Sequence, residues 1–424
     1  MRYRWVVVFV VLVVTGALGS AFIGPGGVEN GEDPPPNQLL QPEERAGYVW
    51  PYTSRSRSIE GRTLALNVVI VGTPEEVRAV LSDRSELEWT PAESDQGLNE
   101  SASISQLNES VSQLNESVPQ LNGSVSISPW RSARGAARYT YVADSPDGGE
   151  WVESDYQLAT GTYLGTRTHI RAYPGPSDNW TALQAHTEYW DWFRLRHSVT
   201  SIAEGGRTVE RDLRDEPFVG EVSRVYHGFE GGGSDGWISV IRLASTTEES
   251  PASVGSAPGS ISTLGLLGAA PVAAALAAVA PPVRRRDLRD AALPLSIIVV
   301  VLGVRSVGIA AEGLFPATSP KIFAGVLYPV LIVGPLLATT WFARNRPATR
   351  MALLAAAGLG AGFVLDLGGV GVSVVPIRLV LHRTALVGAL GLFALGVANE
   401  ERRVAGAATV LWFVILAATL FGLV

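Results

Sequence analysis

Hydrophobic residues of this 424-residue chain are concentrated in long uninterrupted runs near its two ends. The first run extends from Trp5 to Gly24 without a charge. Six more cover roughly 262–280, 293–315, 322–343, 350–372, 378–398 and 404–423. A helix of about 20 apolar residues is long enough to cross a bilayer. The pattern therefore predicts a multi-pass membrane protein with one N-terminal span and a six-span membrane domain at 262–424.

The N-terminal run at 1–24 has the features of a signal anchor or signal peptide. Arg2 and Arg4 precede it, as in a positively charged n-region. Its length favours an uncleaved anchor, whereas the small residues Gly19-Ser20-Ala21 are compatible with cleavage. Both outcomes place the following segment outside the cell.

Basic residues mark alternate loops of the C-terminal region. They occur at Arg284–Arg289, at Arg344–Arg350 and at Arg402-Arg403, and the loops between carry fewer. Loops rich in Arg and Lys remain in the cytoplasm. This topology predicts a cell-membrane protein in contact with the lipid bilayer, with residues 25–261 and the C-terminus extracellular.

The segment between the hydrophobic ends has the pattern of an α+β domain. Residues 25–45 form a Pro- and Gly-rich linker, 46–249 an ectodomain, and 250–261 a second linker. The β-branched run Thr63–Val71 predicts a strand, and Thr73 followed by Pro74 predicts the start of a helix. Further strand-like runs lie at 138–143, 166–173, 181–189, 194–202 and 237–244, and 204–213 is either a short helix or a turn.

Charge and composition exclude several classes of protein. Residues 25–260 contain 34 acidic and 18 basic residues, a net charge of −16, which argues against nucleic-acid binding. The absence of cysteine excludes disulfides, Cys-ligated metals and thiol nucleophiles. Lys321 is the only lysine. An acidic, lysine-poor surface is typical of a protein from a high-salt environment, and GC-rich coding explains the arginine preference equally well.

A seven-residue repeat interrupts the ectodomain at 97–127. It reads QLNESVS, QLNESVP, QLNGSVS and has one leucine per heptad, which is too few for a coiled-coil seam. Each copy contains an Asn-x-Ser sequon. Predicted glycosylation sites are Asn99, Asn108, Asn115, Asn122 and, outside the repeat, Asn179. The alternative is an unmodified low-complexity tract.

Three segments of the ectodomain resemble the LssY C-terminal domain family. Leu66–Glu76 is similar to that family's "NLVLVG" strand and following helix, Thr168–Tyr173 to its "HHLRLW" strand, and Val209–Leu213 to its "D-ERD—DL" segment. The chain departs from the family at Thr168, where the family has a histidine. The resemblance implies an association with membranes, but no reaction. The opening strand and helix also resemble lipid-binding helix-grip domains, whose long C-terminal helix is not predicted before residue 250.

Candidate catalytic chemistry in the ectodomain is sparse. No two of the five histidines have the i, i+4 spacing of a helical metal site, so no metal site and no cofactor are predicted. On strands, His169 and His186 could approach Glu210 or Asp212, but a structural role in a polar strand face is favoured. Motifs for phosphate or dinucleotide binding are absent from the sequence.

Charged residues inside the predicted spans form a second candidate site. The predicted intramembrane polar cluster consists of Arg305, Glu312, Asp366, Arg378 and His382. A charge within the bilayer is costly, so these residues should pair inside the bundle, and Arg305 with Asp366 is the predicted pair. The cluster is either a structural interhelical salt bridge or the lining of an outward-opening ion path.

Together these features predict a membrane glycoprotein that presents an acidic extracellular domain with a binding, sensory or envelope role. Its partners would be the bilayer and an envelope or membrane protein. The alternative is a transporter or membrane-embedded enzyme that uses the polar cluster. The sequence identifies no reaction.

The repeat gives a first testable prediction. Deleting residues 97–127 should leave the ectodomain folded, because a tract with one apolar residue per heptad buries little surface. Circular dichroism and thermal unfolding of the purified deletion variant measure this. Loss of folding would show that the repeat packs against the domain.

Overall fold

The computed structural model describes residues 34–43, 47–53, 64–92, 139–146, 148–228, 234–244, 285–372 and 375–420. The predicted N-terminal span at 1–24, the repeat at 97–127 and the span at 262–280 lie outside these residues. So do four of the five glycosylation sites, Asn99, Asn108, Asn115 and Asn122.

The described chain consists of a sheet domain followed by long helices. The strands are β1 (Tyr48–Val49), β2 (Val68–Val71), β3 (Thr90–Pro91), β4 (Tyr139–Ser145), β5 (Gly148–Glu153), β6 (Tyr156–Gly161), β7 (Thr166–Pro174), β8 (Trp180–Asp191), β9 (Arg196–Ser201), β10 (Val219–Tyr226) and β11 (Trp237–Leu243). The helices are α1 (Pro74–Ala79), α2 (Ile202–Leu213), α3 (Arg285–Leu314), α4 (Pro320–Ala343), α5 (Ala348–Gly369), α6 (Ile377–Ala398) and α7 (Arg402–Leu420). The predicted α+β class of the domain is confirmed.

The first helix begins where its capping residues predict. The Thr73 side chain accepts a hydrogen bond from the Glu76 backbone N–H, and the Glu76 carboxylate accepts one from the Thr73 N–H. This reciprocal pair satisfies two backbone donors that the first helical turn leaves unpaired. After Ala79 the chain continues as a π-helical turn, Val80–Arg84.

The main sheet lies between two covering layers. Its strand order is β10-β11-β2-β8-β7-β6-β3, with β9 paired to β8, and all of these pairs are antiparallel except β11 with β2. One face packs Ile170 and Leu183 against Val209 of α2. The other packs Val69 and Ala182 against a smaller sheet of order β1-β4-β5. Burial on both faces fixes the register of the central strands.

Several elements differ from the sequence prediction. The prediction did not include β1, β3, β5, β6 and β10. Every side chain of β5 and β10 is exposed or half-buried, so these two strands lack a buried apolar pattern. The segment left open at 204–213 is the helix α2. Ser201 caps it by accepting a hydrogen bond from the Glu204 N–H.

Five helices are long and apolar enough to cross a membrane. They extend over Asp290–Leu314, Pro320–Ala343, Ala348–Gly369, Ile377–Ala398 and Arg402–Thr419. Many of their large apolar side chains are exposed, including Val299, Val326 and Trp341. In the described part of the sheet domain, only Val199, Tyr226 and Trp237 are exposed in this way. The apolar helix surface identifies a multi-pass membrane region. The predicted sixth C-terminal span is not among the described residues.

Candidate functional site

The central strands β7 and β8 form a buried ladder of polar side chains. In the antiparallel register Arg167 lies opposite Glu188, His169 opposite His186, and Arg171 opposite Gln184. Alternate residues of a strand point to the same face, so these six side chains share one face of the sheet. Five of them are buried, and Arg171 is half-buried. The two histidine rings are 5.0 Å apart between centroids and meet edge to face.

His186 connects two polar partners on its own strand. Its Nδ1 is 3.1 Å from Gln184 Oε1, and its Nε2 is 3.1 Å from Glu188 Oε2. The other oxygen of Glu188 accepts a hydrogen bond of 2.6 Å from Arg167 Nε. Three residues, His169, His186 and Glu188, each offer one ligand atom, and these three atoms lie within 4.8 Å of one another. We refer to these three residues as the His-His-Glu cluster.

The surroundings of the cluster keep the histidines neutral and the glutamate ionised. Burial lowers the pKa of His169 well below its usual value, and it also lowers that of His186. Burial alone would raise the pKa of Glu188. The hydrogen bond with His186 and the positive charge of Arg167 outweigh it and hold this pKa well below its usual range.

Helix α2 supports the cluster from behind the sheet. Gly205 packs against the backbone of β8, and a Cβ atom built on it would lie 2.4 Å from the Cα atom of His186. Only a glycine allows the helix to approach the strand so closely. The backbone that carries His186 is therefore held between its neighbouring strand and α2.

A chain of hydrogen bonds connects the cluster to the helices. Arg167, which binds Glu188, also contacts His197 Nδ1 through Nη2 at 3.3 Å. His197 Nε2 is 2.9 Å from the carbonyl oxygen of Tyr163. The backbone N–H of Tyr163 donates to Glu312 Oε1 of α3 at 2.6 Å. We call this series the Glu188–Glu312 path.

Arg305 joins two helices to the sheet domain. Its Nε and Nη2 donate to the two carboxylate oxygens of Asp366 on α5, at 2.5 and 2.9 Å. Its Nη1 and Nη2 also donate to the carbonyl oxygens of Leu164 and Trp190, at 3.2 and 3.0 Å. The predicted contact between Arg305 and Asp366 is thus present, and it includes two backbone groups of the domain that the sequence did not indicate.

A second ion pair links the domain to the bundle. Arg383 of α6 donates to Asp191 at the end of β8, and both side chains are buried. The Arg383 guanidinium also lies over the rings of Phe193 and Phe363, at 4.5 and 4.8 Å from their centroids. Stacking on aromatic rings and pairing with a carboxylate are both favourable for a desolvated guanidinium.

Apolar side chains of the domain enter the helix bundle beside these ion pairs. Leu164, Trp190, Trp192 and Phe193 belong to the same buried cluster as residues of α3 to α7. Gly308 of α3 makes room for one of these rings, since a Cβ atom there would lie 2.7 Å from Trp192. The domain and the bundle therefore share one hydrophobic core.

Two of the predicted cluster residues lie apart from Arg305. Arg378 is exposed at the start of α6, and His382 is buried beside Arg383. The suggested approach of His169 and His186 to Glu210 or Asp212 is wrong. Those carboxylates belong to α2, where Glu210 binds Arg224 and Ser239, and Asp212 binds Trp89.

Sequence reasoning also missed Glu188, Asp191 and Arg383. The charge of Arg383 inside a predicted span was a usable signal. Asp191 gave no such signal in the sequence, because its partner Arg383 is distant in the chain. Asn179, the one glycosylation site that the structure describes, is exposed in the turn between β7 and β8.

Comparisons with protein-family models, curated proteins and solved structures found no match. They do not bear on the resemblance to the LssY C-terminal domain, which stays a prediction.

The Arg305–Asp366 pair predicts a non-additive mutational response. Arg305→Leu or Asp366→Leu alone leaves one buried charge without its partner and should destabilise the protein by about 3 kcal/mol or more. The double variant should recover at least about 1 kcal/mol of the summed loss. Thermal unfolding in detergent and the amount of protein in the membrane measure both effects. The exposed Arg378→Leu provides a control with little expected change, and additive losses would contradict the pairing.

The buried histidines predict a dependence of stability on pH. In the unfolded chain His169, His186 and His227 bind protons below about pH 6.5. Burial lowers their pKa in the folded state, to about 4 for His227. The unfolded state therefore binds more protons in this range, and stability should fall as the pH is lowered from about 6.5 to about 4. Unfolding temperatures measured across this range should show a shallower slope for His227→Gln, and an unchanged slope would contradict the assignment.

Proposed function

We propose that this protein is a membrane-anchored sensory protein, in which an extracellular α+β domain acts on the helix bundle to which it is fixed. The observation that carries the proposal is the geometry of Arg305. One guanidinium binds Asp366 of the bundle and two backbone carbonyls of the domain. A change in the turn at Leu164 or in β8 at Trp190 would therefore act directly on a contact between two helices.

The position of the domain on the bundle supports the extracellular assignment. It contacts Arg305 and Glu312 in the C-terminal half of α3 and Arg383 near the start of α6. Asp366, near the end of α5, binds Arg305. The basic loops lie at the opposite ends of these helices, where Arg346 and Arg350 both pair with Asp290. The positive-inside rule assigns that end to the cytoplasm and the domain to the other side.

The contacts of the charged residues favour a sensory role over the transport alternative. Arg305 and Asp366 satisfy each other, and Glu312 accepts two backbone hydrogen bonds from Tyr163 and Leu164. Groups engaged in this way hold two parts of a protein together. An ion path needs polar groups that can exchange partners with a passing ion.

Glycosylation remains part of the proposal. The exposed turn position of Asn179 suits an acceptor for a bulky glycan. A glycan there would lie at the end of β8 that is remote from the bundle contact at Trp190 and Asp191, so it would leave the docking of the domain undisturbed.

The orientation can be tested by thiol labelling, because the natural chain has no cysteine. Ser177→Cys in the exposed turn of the domain should react with a membrane-impermeant maleimide on intact cells. Thr349→Cys, exposed at the basic end of α5, should react only after the cells are opened. The two single-cysteine variants serve as controls for each other.

The opposite labelling pattern, or equal labelling of both variants in sealed cells, would overturn the extracellular assignment. A sensory role further requires that the two ends communicate. The maleimide reactivity of Thr349→Cys in purified protein should therefore change when the conformation of the domain changes.

A further inference from the structure

The His-His-Glu cluster has the composition and geometry of a metal site. Two imidazole nitrogens and a carboxylate oxygen converge from adjacent strands, within 4.8 Å of one another. Ligand atoms around a tetrahedral zinc ion lie about 3.3 Å apart, given bond lengths of about 2.0–2.1 Å. The 3.1 Å separation of His186 Nε2 from Glu188 Oε2 is close to this value.

The hydrogen bonds around the cluster orient its lone pairs inward. In the metal-free site the hydrogen bond from His186 to Glu188 places the ring proton on Nε2. When a metal ion replaces this proton, Nδ1 carries the ring proton instead and donates it to Gln184 Oε1, 3.1 Å away. Nε2 then presents its lone pair to the ion, beside the Glu188 carboxylate.

Arg167 completes the surroundings of the carboxylate. It binds Glu188 Oε1 and leaves Oε2 directed toward His186. Metal-binding histidines and carboxylates are commonly oriented in this way by hydrogen bonds from neighbouring residues. Gln184 and Arg167 are therefore positioning residues for the two ligands on β8.

We propose that His169, His186 and Glu188 bind a divalent transition-metal ion of the zinc class. Imidazole nitrogen with one carboxylate oxygen suits Zn²⁺ and its first-row neighbours, and the set differs from the all-oxygen sites preferred by Ca²⁺ and Mg²⁺. Three protein ligands leave a fourth position of a tetrahedral ion for a water molecule. The metal ion would be the ligand that the sensory protein proposed above detects, so the biological role of the site rests on that proposed function.

The site is connected to the bundle by the Glu188–Glu312 path. A metal ion bound to Glu188 would compete with Arg167 for the carboxylate charge. Arg167 contacts His197, which holds the Tyr163 carbonyl, and the Tyr163 N–H is bound by Glu312 of α3. Metal binding would thereby act on the turn at Tyr163, whose backbone N–H donates a hydrogen bond to Glu312 of the bundle.

Zinc binding to the full-length protein tests the site directly. The protein is purified in detergent, treated with a chelator and dialysed against micromolar ZnCl₂, and its zinc content and affinity are measured. We expect one zinc ion per chain. His169→Gln, His186→Gln and Glu188→Gln should each weaken binding at least about tenfold. His227→Gln, which changes a buried histidine outside the cluster, should bind as the natural chain does.

Circular dichroism of each variant confirms that it is folded, and Co²⁺ absorption provides a second measurement that reports tetrahedral coordination. Without a metal ion, the proton between His186 and Glu188 makes the cluster a closed hydrogen-bond network. Absence of saturable zinc binding in the folded natural chain would identify that network and overturn the metal site. Equal binding by the cluster variants would overturn it as well.

The sensory role is tested by a separate measurement. Zinc should change the maleimide reactivity of Thr349→Cys in detergent. His197→Gln, which interrupts the Glu188–Glu312 path outside the cluster, should reduce that change while retaining zinc. Zinc binding without any change in reactivity would uphold the metal site and overturn the sensory role.

Discussion

The structure depends on how two turns of the sheet domain are accommodated inside a bundle of apolar helices. One turn lies between β6 and β7, and the other between β8 and β9. Irregular backbone has no partners for its N–H and C=O groups, and lipid supplies none. Tyr163 and Leu164 show how this is solved. Glu312 accepts from both N–H groups, His197 lies against the Tyr163 carbonyl, and Arg305 donates to that of Leu164. All four backbone groups of this dipeptide are paired with three side chains, of which Glu312 and Arg305 belong to α3 and His197 to β9.

This arrangement explains why charges occur in the apolar helices. Arg305 is nine residues before the end of α3, about 13 Å at 1.5 Å per residue, so the turn that it binds reaches well below the helix end. Asp366 neutralises its charge, and Arg383 does the same for Asp191. The ion pairs allow polar backbone to enter the bundle, while Trp192 and Phe193 fill the apolar space around it. A buried ion pair adds little stability compared with apolar packing, so the stability of the docked domain depends mainly on these apolar contacts.

Local patterns in the sequence were sufficient for part of this picture. Thr73 and Pro74 predicted the start of α1, the β-branched run predicted β2, and strand-like runs predicted β7 and β8. The cost of charge in an apolar segment predicted that Arg305 binds Asp366. Pairing across strands was not predictable, because the alignment of His169 with His186 depends on the register of two strands. Asp191 escaped prediction for a related reason. Its partner Arg383 lies 192 residues further along the chain, in α6, and no local pattern indicates that pair. Strand β5, GGEWVE, lacks the apolar alternation that identifies a half-buried strand.

The parallel pairing of β11 with β2 has a consequence for biosynthesis. Ser239 of β11 aligns with Val68 of β2, so the centre of the sheet joins segments roughly 170 residues apart. Such distant pairings form slowly, because a long loop must close before the contact is made. The edge of β2 stays open until the ribosome has passed residue 243, just before the described membrane helices are made. The nascent domain thus completes its sheet only as the helices on which it docks begin to emerge, and any delay at that point leaves an unpaired β-strand edge open to other chains.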